Sequence, residues 1–122
     1  MTIAVWIVSG LLAAMYLFAG FSKSLLPPEK LHKQFPWSAE PVGVRNTRII
    51  GVLEILGAIG LILPPLLGIV PVLAAFAAVG LAIVQVAAIV LHVRQGDLKV
   101  LPMNVVLLLL AVFVAVGRFL GF

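Results

Sequence analysis

The polar side chains that could do chemistry in this 122-residue chain stand within or at the ends of long apolar runs. Glu54 is the one carboxylate in the stretch GVLEILGAIGLIL, whose other residues are apolar or glycine. Lys23, His92 and Asn104 stand near the ends of three other apolar runs. Side chains of these types hold protons, pair as ions or donate hydrogen bonds to a ligand. We therefore expect a proton site or a ligand site built on Glu54.

Helical spacing places these polar residues on stripes of small residues. Glu54 shares a stripe with Gly51 and Ala58, and Gln85 shares one with Ala78. Small residues mark close helix contacts, and polar residues in a membrane face the bundle interior, so the polar stripes should face one another. The candidate site residues are Tyr16, Lys23, Glu54, Gln85, His92 and Asn104.

Glu54 needs a partner, because a carboxylate inside a bilayer must be protonated, hydrated or paired with a cation. A central charge costs about 3 kcal/mol to insert, against about 3 to 6 kcal/mol supplied by the Leu, Ile and Val residues at 49–63. Lys23 is the partner we expect, because its long stem can bend inward. His92 is the second candidate, and Tyr16 could bond Glu54 or a ligand.

Each candidate also has a structural interpretation. Glu54 could pin the helix register, Lys23 could extend its ammonium to the interface, and His92 could titrate at a helix end. Asn104 and Gln85 could form hydrogen bonds between helices.

The composition indicates the elements that position these residues: 64% of the residues are hydrophobic, 10% are charged and the mean hydropathy is +1.31. Such a chain is a membrane protein, and its apolar runs must be helical. We predict an all-α bundle of four transmembrane helices in a single domain of residues 1–122. The predicted spans are Ile3 to Ser22, Asn46 to Leu63, Val70 to Val93 and Pro102 to Leu120.

Prolines mark several predicted boundaries. Pro71 and Pro102 suit the first turns of the third and fourth spans, and Pro64–Pro65 is expected to close the second. In the long first loop, Pro27-Pro28-Glu29 could start a short amphipathic helix, while Phe35 and Trp37 suit the headgroup layer. A cap on the interface and a solvated linker are both compatible with this loop.

Basic residues predict the orientation. Seven of the eight lie on one side of the membrane: Lys23, Lys30, Lys33, Arg45, Arg48, Arg94 and Lys99. Arg118 alone lies on the other side. The positive-inside rule then makes the first and third loops cytoplasmic and both termini external, in the cell (inner) membrane. We expect no nucleic-acid partner, because the basic residues form no patch.

The residue inventory limits the chemistry. The chain has no cysteine, so it has no disulfide, thiolate metal site or iron–sulfur cluster of its own. We expect no metal site, because no metal-spaced carboxylate cluster occurs, and no haem, because a bis-histidine site would need loop residue His32 beside His92. No room remains for a soluble catalytic domain, so the isolated chain is not expected to be an enzyme.

Three segments resemble the DoxX-like branch of the DoxX family of small four-helix membrane proteins: LFAGFSKSL, IIGVLEILGAIGLILP and AAIVLHVRQGD. The resemblance covers nearly the whole chain and places Lys23 and Glu54 on the family's lysine and glutamate positions. Some relatives are implicated as membrane subunits of thiosulfate:quinone oxidoreductases, or as partners of redox and thiol-detoxifying enzymes. The resemblance therefore implies an accessory membrane subunit beside a soluble or membrane redox partner.

Three functions are compatible with these residues. The first is an accessory subunit that binds a quinone or another amphipathic, lipid-like ligand at the polar residues. The second is a small proton-coupled transporter with Glu54 as the protonatable site, and the third is a purely structural membrane partner. The small-residue rows Ala74/Ala78/Ala82 and Gly117/Gly121 suit either internal packing or a homo-oligomer.

Overall fold

The computed structural model describes residues 1–68, 70 and 72–122 as helices and short connections. The helices are α1 (Thr2–Leu25), α2 (Pro28–Gln34), α3 (Val44–Leu67), α4 (Val72–Gln95) and α5 (Leu101–Phe119), with 3-10 turns at Pro36–Ser38 and Leu98–Val100. α1, α3, α4 and the segment Leu98–Phe119, which contains α5, are long and apolar enough to cross a membrane. The prediction of an all-α bundle with four spans is confirmed.

The four long helices pack as a ring. α1 contacts α3 and α5, and α4 contacts the same two helices, so α1 lies diagonally opposite α4. The core between them contains Leu12, Tyr16, Ala58, Leu61, Ala78, Leu81, Leu107, Ala111 and Val114. We call the end where α1 finishes the basic end and the end that carries both termini the terminal end.

The prediction that Pro64–Pro65 closes the second span is wrong, because α3 continues to Leu67. Proline has a backbone angle that suits a helix, and its missing N–H costs one hydrogen bond per residue. The carbonyls of Gly60 and Leu61, near the end of the helix, therefore lack the helical N–H donor that residues 64 and 65 would otherwise supply. α3 ends at Gly68, whose left-handed conformation (φ 69°) lets its N–H bond to the carbonyls of both prolines.

The remaining boundaries differ from the predicted ones by a turn or less. α1 continues three residues past Ser22, so Lys23 lies in its last helical turn. α4 ends at Gln95, two residues beyond the predicted Val93. Pro102 lies in the first turn of α5, as predicted, and Pro71 lies outside the described residues.

The first loop forms a short cap at the basic end. α2 starts at Pro28, as the proline pattern predicts, and buries Leu31. The following 3-10 turn buries Ser38, whose hydroxyl lies 2.7 Å from Nδ1 of His32. Because the loop buries Leu31 and Ser38 and Ser38 is hydrogen-bonded to His32, it is an ordered cap and not a solvated linker.

α1 and α3 approach closely at a pair of glycines. A Cβ atom added to Gly51 would lie 2.7 Å from the carbonyl oxygen of Gly20 and 2.8 Å from Cβ of Lys23. A Cβ atom added to Gly20 would likewise lie 2.7 Å from the carbonyl oxygen of Gly51, so the crossing requires glycine on both helices. This close approach brings the last turn of α1 against the stripe of α3 that carries Glu54.

Candidate functional site

Lys23 and Glu54 form an ion pair between α1 and α3. Nζ of Lys23 lies 2.6 Å from Oε1 of Glu54, and the two side chains are 12% and 2% exposed. The lysine stem reaches inward from the last turn of α1 to a carboxylate on the buried stripe of α3, which also carries Gly51 and Ala58. The pair that the helical stripes predict is therefore present.

Two aromatic rings of the cap cover the Lys23 ammonium. Its Nζ lies 5.2 Å from the ring centroid of Phe35 and 5.6 Å from that of Trp37. The two rings contact each other at a centroid distance of 5.5 Å. Both nitrogen-to-ring distances are within the range of cation–π attraction. We call the Glu54 carboxylate and these two rings the ammonium box; at present the box contains the ammonium group of Lys23.

Arg48 fixes the end of α1 beside the ammonium box. Its Nη1 donates hydrogen bonds to the carbonyl oxygens of Lys23 (3.3 Å) and Ser24 (2.7 Å), and its Nη2 donates to that of Leu26 (2.7 Å). The last carbonyls of a helix have no partner within the helix, so this guanidinium satisfies them. Sequence reasoning counted Arg48 only as a topology signal and missed this role.

Three further polar side chains face the bundle interior: Tyr16, Gln85 and Asn104, all buried. The hydroxyl of Tyr16, Oε1 of Gln85 and Nδ2 of Asn104 are buried without a hydrogen-bond partner. Tyr16 on α1 and Gln85 on α4 are neighbours across the bundle, but the geometry between their side chains falls short of a hydrogen bond. We call these three residues the interior polar cluster, because all three are buried within the bundle; their unpartnered atoms are two donors and one acceptor.

His92 takes a different partner from the one considered in the sequence. Its Nδ1 lies 3.6 Å from Oδ2 of Asp97, which follows in the turn after α4. A neighbour in the adjoining turn is closer to the end of α4 than a carboxylate deep on α3 is. Glu54 is bonded to Lys23 instead, so His92 is not part of the ion pair.

The structure thus joins Lys23 to Glu54 and buries Tyr16, Gln85 and Asn104 on the inner faces of α1, α4 and α5. Residues missing from the predicted site are Phe35, Trp37 and Arg48. The aromatic pair in the loop segment FPW is the sequence signal for the first two, but the sequence suggested only a headgroup position. Within residues 1–68, 70 and 72–122, no group of three metal-ligating side chains is placed to hold a metal ion.

A comparison with protein families identifies the family of this chain. The model of the DoxX-like family matches residues 7–114, a range that includes every candidate site residue, the cap and Arg48. The resemblance stated from the sequence segments is confirmed. No curated protein and no solved structure matches the chain significantly.

Proposed function

The chain belongs to the DoxX-like family of membrane proteins, and on that premise we propose that it is an accessory membrane subunit that binds the headgroup of a quinone-like amphipathic molecule. The observation that carries this proposal is the interior polar cluster, whose three polar atoms are buried without partners. Buried polar groups in proteins are almost always hydrogen-bonded, so unpartnered atoms of this kind favour a bound guest.

The chemistry of the interior polar cluster suits a quinone. The two carbonyl oxygens of a quinone accept hydrogen bonds, and the Tyr16 hydroxyl and the Asn104 Nδ2 are free donors. The hydroxyl of the reduced quinol could donate in turn to Oε1 of Gln85, which is a free acceptor. The isoprenoid or alkyl tail would lie among the apolar helices, as expected for a pocket with few polar groups.

Electrons for any quinone chemistry would come from a partner. The chain has no cysteine and therefore has no dithiol or iron–sulfur centre of its own. Reduction of a quinone to a quinol takes up two electrons and two protons, so a redox partner protein would supply the electrons. In this proposal the subunit binds and orients the quinone, and Glu54 and Lys23 are the groups beside the ligand that exchange protons.

Quenching of tryptophan fluorescence tests the quinone proposal. The chain has two tryptophans, and a Trp6→Phe variant leaves Trp37, whose ring lies beside the Lys23 ammonium, as the only tryptophan reporter. Purified, delipidated protein in this background is titrated with a short-chain quinone. We expect saturable quenching whose affinity weakens about fivefold for Tyr16→Phe or Gln85→Leu, because one hydrogen bond contributes about 1 kcal/mol. We expect Glu54→Gln to weaken it as well.

Val86→Leu is the matched control, since Val86 neighbours Gln85 but is exposed on the outer face of α4. Its affinity should equal that of the parent. If Glu54→Gln, Tyr16→Phe and Gln85→Leu all leave quinone affinity unchanged, the ligand proposal fails.

Proton-coupled transport of a cation is the second candidate, and one observation favours it: Glu54 already holds a cation while only 2% exposed. Proteoliposome flux of a cationic dye, with and without a pH gradient, separates the two functions. A flux that needs both the gradient and Glu54 would support transport. If neither flux nor binding depends on Glu54 and its replacement changes abundance alone, the subunit is structural.

A further inference from the structure

We propose that the ammonium box is a binding site for the cationic headgroup of an amphiphile, and that Lys23 is its built-in occupant, displaced when such a headgroup binds. The chemical class is an organic ammonium ion attached to an alkyl chain. The inference does not rest on the quinone proposal, because it concerns the cap side of the ion pair and not the interior polar cluster.

The box has the composition of an ammonium-recognition site. One carboxylate and two aromatic faces surround a single nitrogen, at 2.6 Å from Oε1 of Glu54 and 5.2 and 5.6 Å from the ring centroids. Proteins recognise quaternary ammonium groups through aromatic faces of this kind, because the negative face of each ring attracts the cation. A simple ion pair would not need the two rings.

Hydration favours an organic ammonium ion over the lysine that it replaces. A lysine ammonium is a compact and strongly hydrated charge, whereas a quaternary ammonium carries its charge beneath methyl groups and loses less on leaving water. Lys23 lies in the last turn of α1, is 12% exposed and has a flexible stem. Once displaced, its ammonium can extend to the aqueous interface and regain its hydration, so the box does not have to hold two cations.

The surface beside the box offers a place for the alkyl chain. A shallow apolar groove on α3 is lined by Ile49, Val52 and Leu53 and begins at Arg48. The guanidinium of Arg48 bonds to the carbonyls of Lys23 and Ser24, so the groove starts next to the helix end that carries the occupant. A headgroup in the box and an alkyl chain in this groove would account for the aromatic rings around the ammonium and for the apolar groove beside them.

Binding of hexyltrimethylammonium to the Trp6→Phe protein in nanodiscs of zwitterionic lipid tests the proposal, with Trp37 emission as the readout. We expect saturable binding to the Trp6→Phe protein and at least tenfold tighter binding after Lys23→Met. Lys23→Arg should give no gain in affinity, because it keeps a cationic side chain in the box. Adding Phe35→Leu or Glu54→Gln to Lys23→Met should remove the gain. Hexanesulfonate, with the same chain and the opposite charge, should give no saturable change in any variant.

Three results would overturn the proposal. Equal binding before and after Lys23→Met would show that lysine does not occupy the site. A gain that survives Glu54→Gln and Phe35→Leu would place the probe elsewhere. Binding by the Lys23→Met variant alone, with none by the Trp6→Phe parent, would show that Lys23 blocks the box and is not displaced by a headgroup. Thermal melting of each variant in nanodiscs checks that it is folded, and a failed quinone titration leaves this test unaffected.

Discussion

At the scale of single residues, removing one partner of the Lys23–Glu54 ion pair costs more free energy than formation of the pair contributes to stability. Two charges removed from water gain little net free energy when paired, but either one left alone in an apolar interior is strongly unfavourable. Glu54 is 2% exposed and has no access to water in place of its partner, and Lys23, at 12% exposed, reaches water only by leaving the ammonium box. The pair therefore makes the two residues interdependent.

A double-mutant cycle measures this dependence. Lys23→Ala should lower the free energy of unfolding by about 3 kcal/mol, because it leaves a buried carboxylate unpaired. Glu54→Ala should also lower it, but by less, because the Lys23 ammonium can then extend to the interface. The double variant should lose less than the sum of the two single losses. Unfolding in mixed detergent micelles gives all four values, and strictly additive losses would contradict the pairing.

The sequence predicted the ion pair but not its surroundings, for a physical reason. Helical periodicity assigns Glu54 and Lys23 to buried stripes, and a bilayer leaves an acid few other partners. The rings of Phe35 and Trp37 stand in an irregular loop, where no periodicity fixes direction. Arg48 is a cation near a helix start, and only the path of α1 shows that its partners are three backbone carbonyls.

At the scale of helices, glycines set the distances that the site requires. Gly51 lets α3 approach Gly20 on α1, and Gly57 accommodates the side chain of Leu81 on α4. The predicted stripe of small residues therefore allows close approach of neighbouring helices, as small residues do in other membrane bundles. The length of α3 was less predictable, because proline ends a helix in most contexts. Here α3 continues through both prolines, and the Gly68 N–H caps the carbonyls of Pro64 and Pro65.

Gly51→Ala and Gly80→Ala form a matched pair that tests the crossing. The added methyl group of Gly51→Ala would meet the Gly20 carbonyl at 2.7 Å, so we expect a loss of about 1 to 3 kcal/mol in the free energy of unfolding. Gly80 has no atom within 4 Å of an added Cβ, and alanine there should be neutral or add up to about 1 kcal/mol through helix propensity. Equal effects of the two changes in detergent unfolding would show that the crossing tolerates a methyl group.

At the scale of the whole molecule, the charges are distributed unevenly along the membrane normal. Arg118 is the one Lys or Arg at the terminal end, where its guanidinium lies 4.7 Å from the Trp6 ring centroid and donates to the Phe122 carbonyl. The other seven Lys and Arg residues lie at the basic end. We infer from the positive-inside rule that the basic end faces the cytoplasm.

Single cysteines test this orientation, because the chain has none of its own. Thr2→Cys and Lys30→Cys place a thiol at exposed positions on opposite ends of the bundle. With a membrane-impermeant maleimide, intact spheroplasts should label Thr2→Cys only, and permeabilised ones should label both. Labelling of Lys30→Cys in intact spheroplasts would reverse the proposed orientation.

The closeness of the Lys23 and Glu54 charges has an electrical consequence. A membrane voltage of about 100 mV does about 2.3 kcal/mol of work on one elementary charge that crosses the bilayer. Opposite charges 2.6 Å apart experience nearly the same potential, so the work on one cancels the work on the other. The membrane voltage therefore does almost no net work on the intact pair. Protonation of Glu54, or departure of Lys23 from the ammonium box, would leave one uncompensated charge, and the membrane potential would then bias where that charge resides.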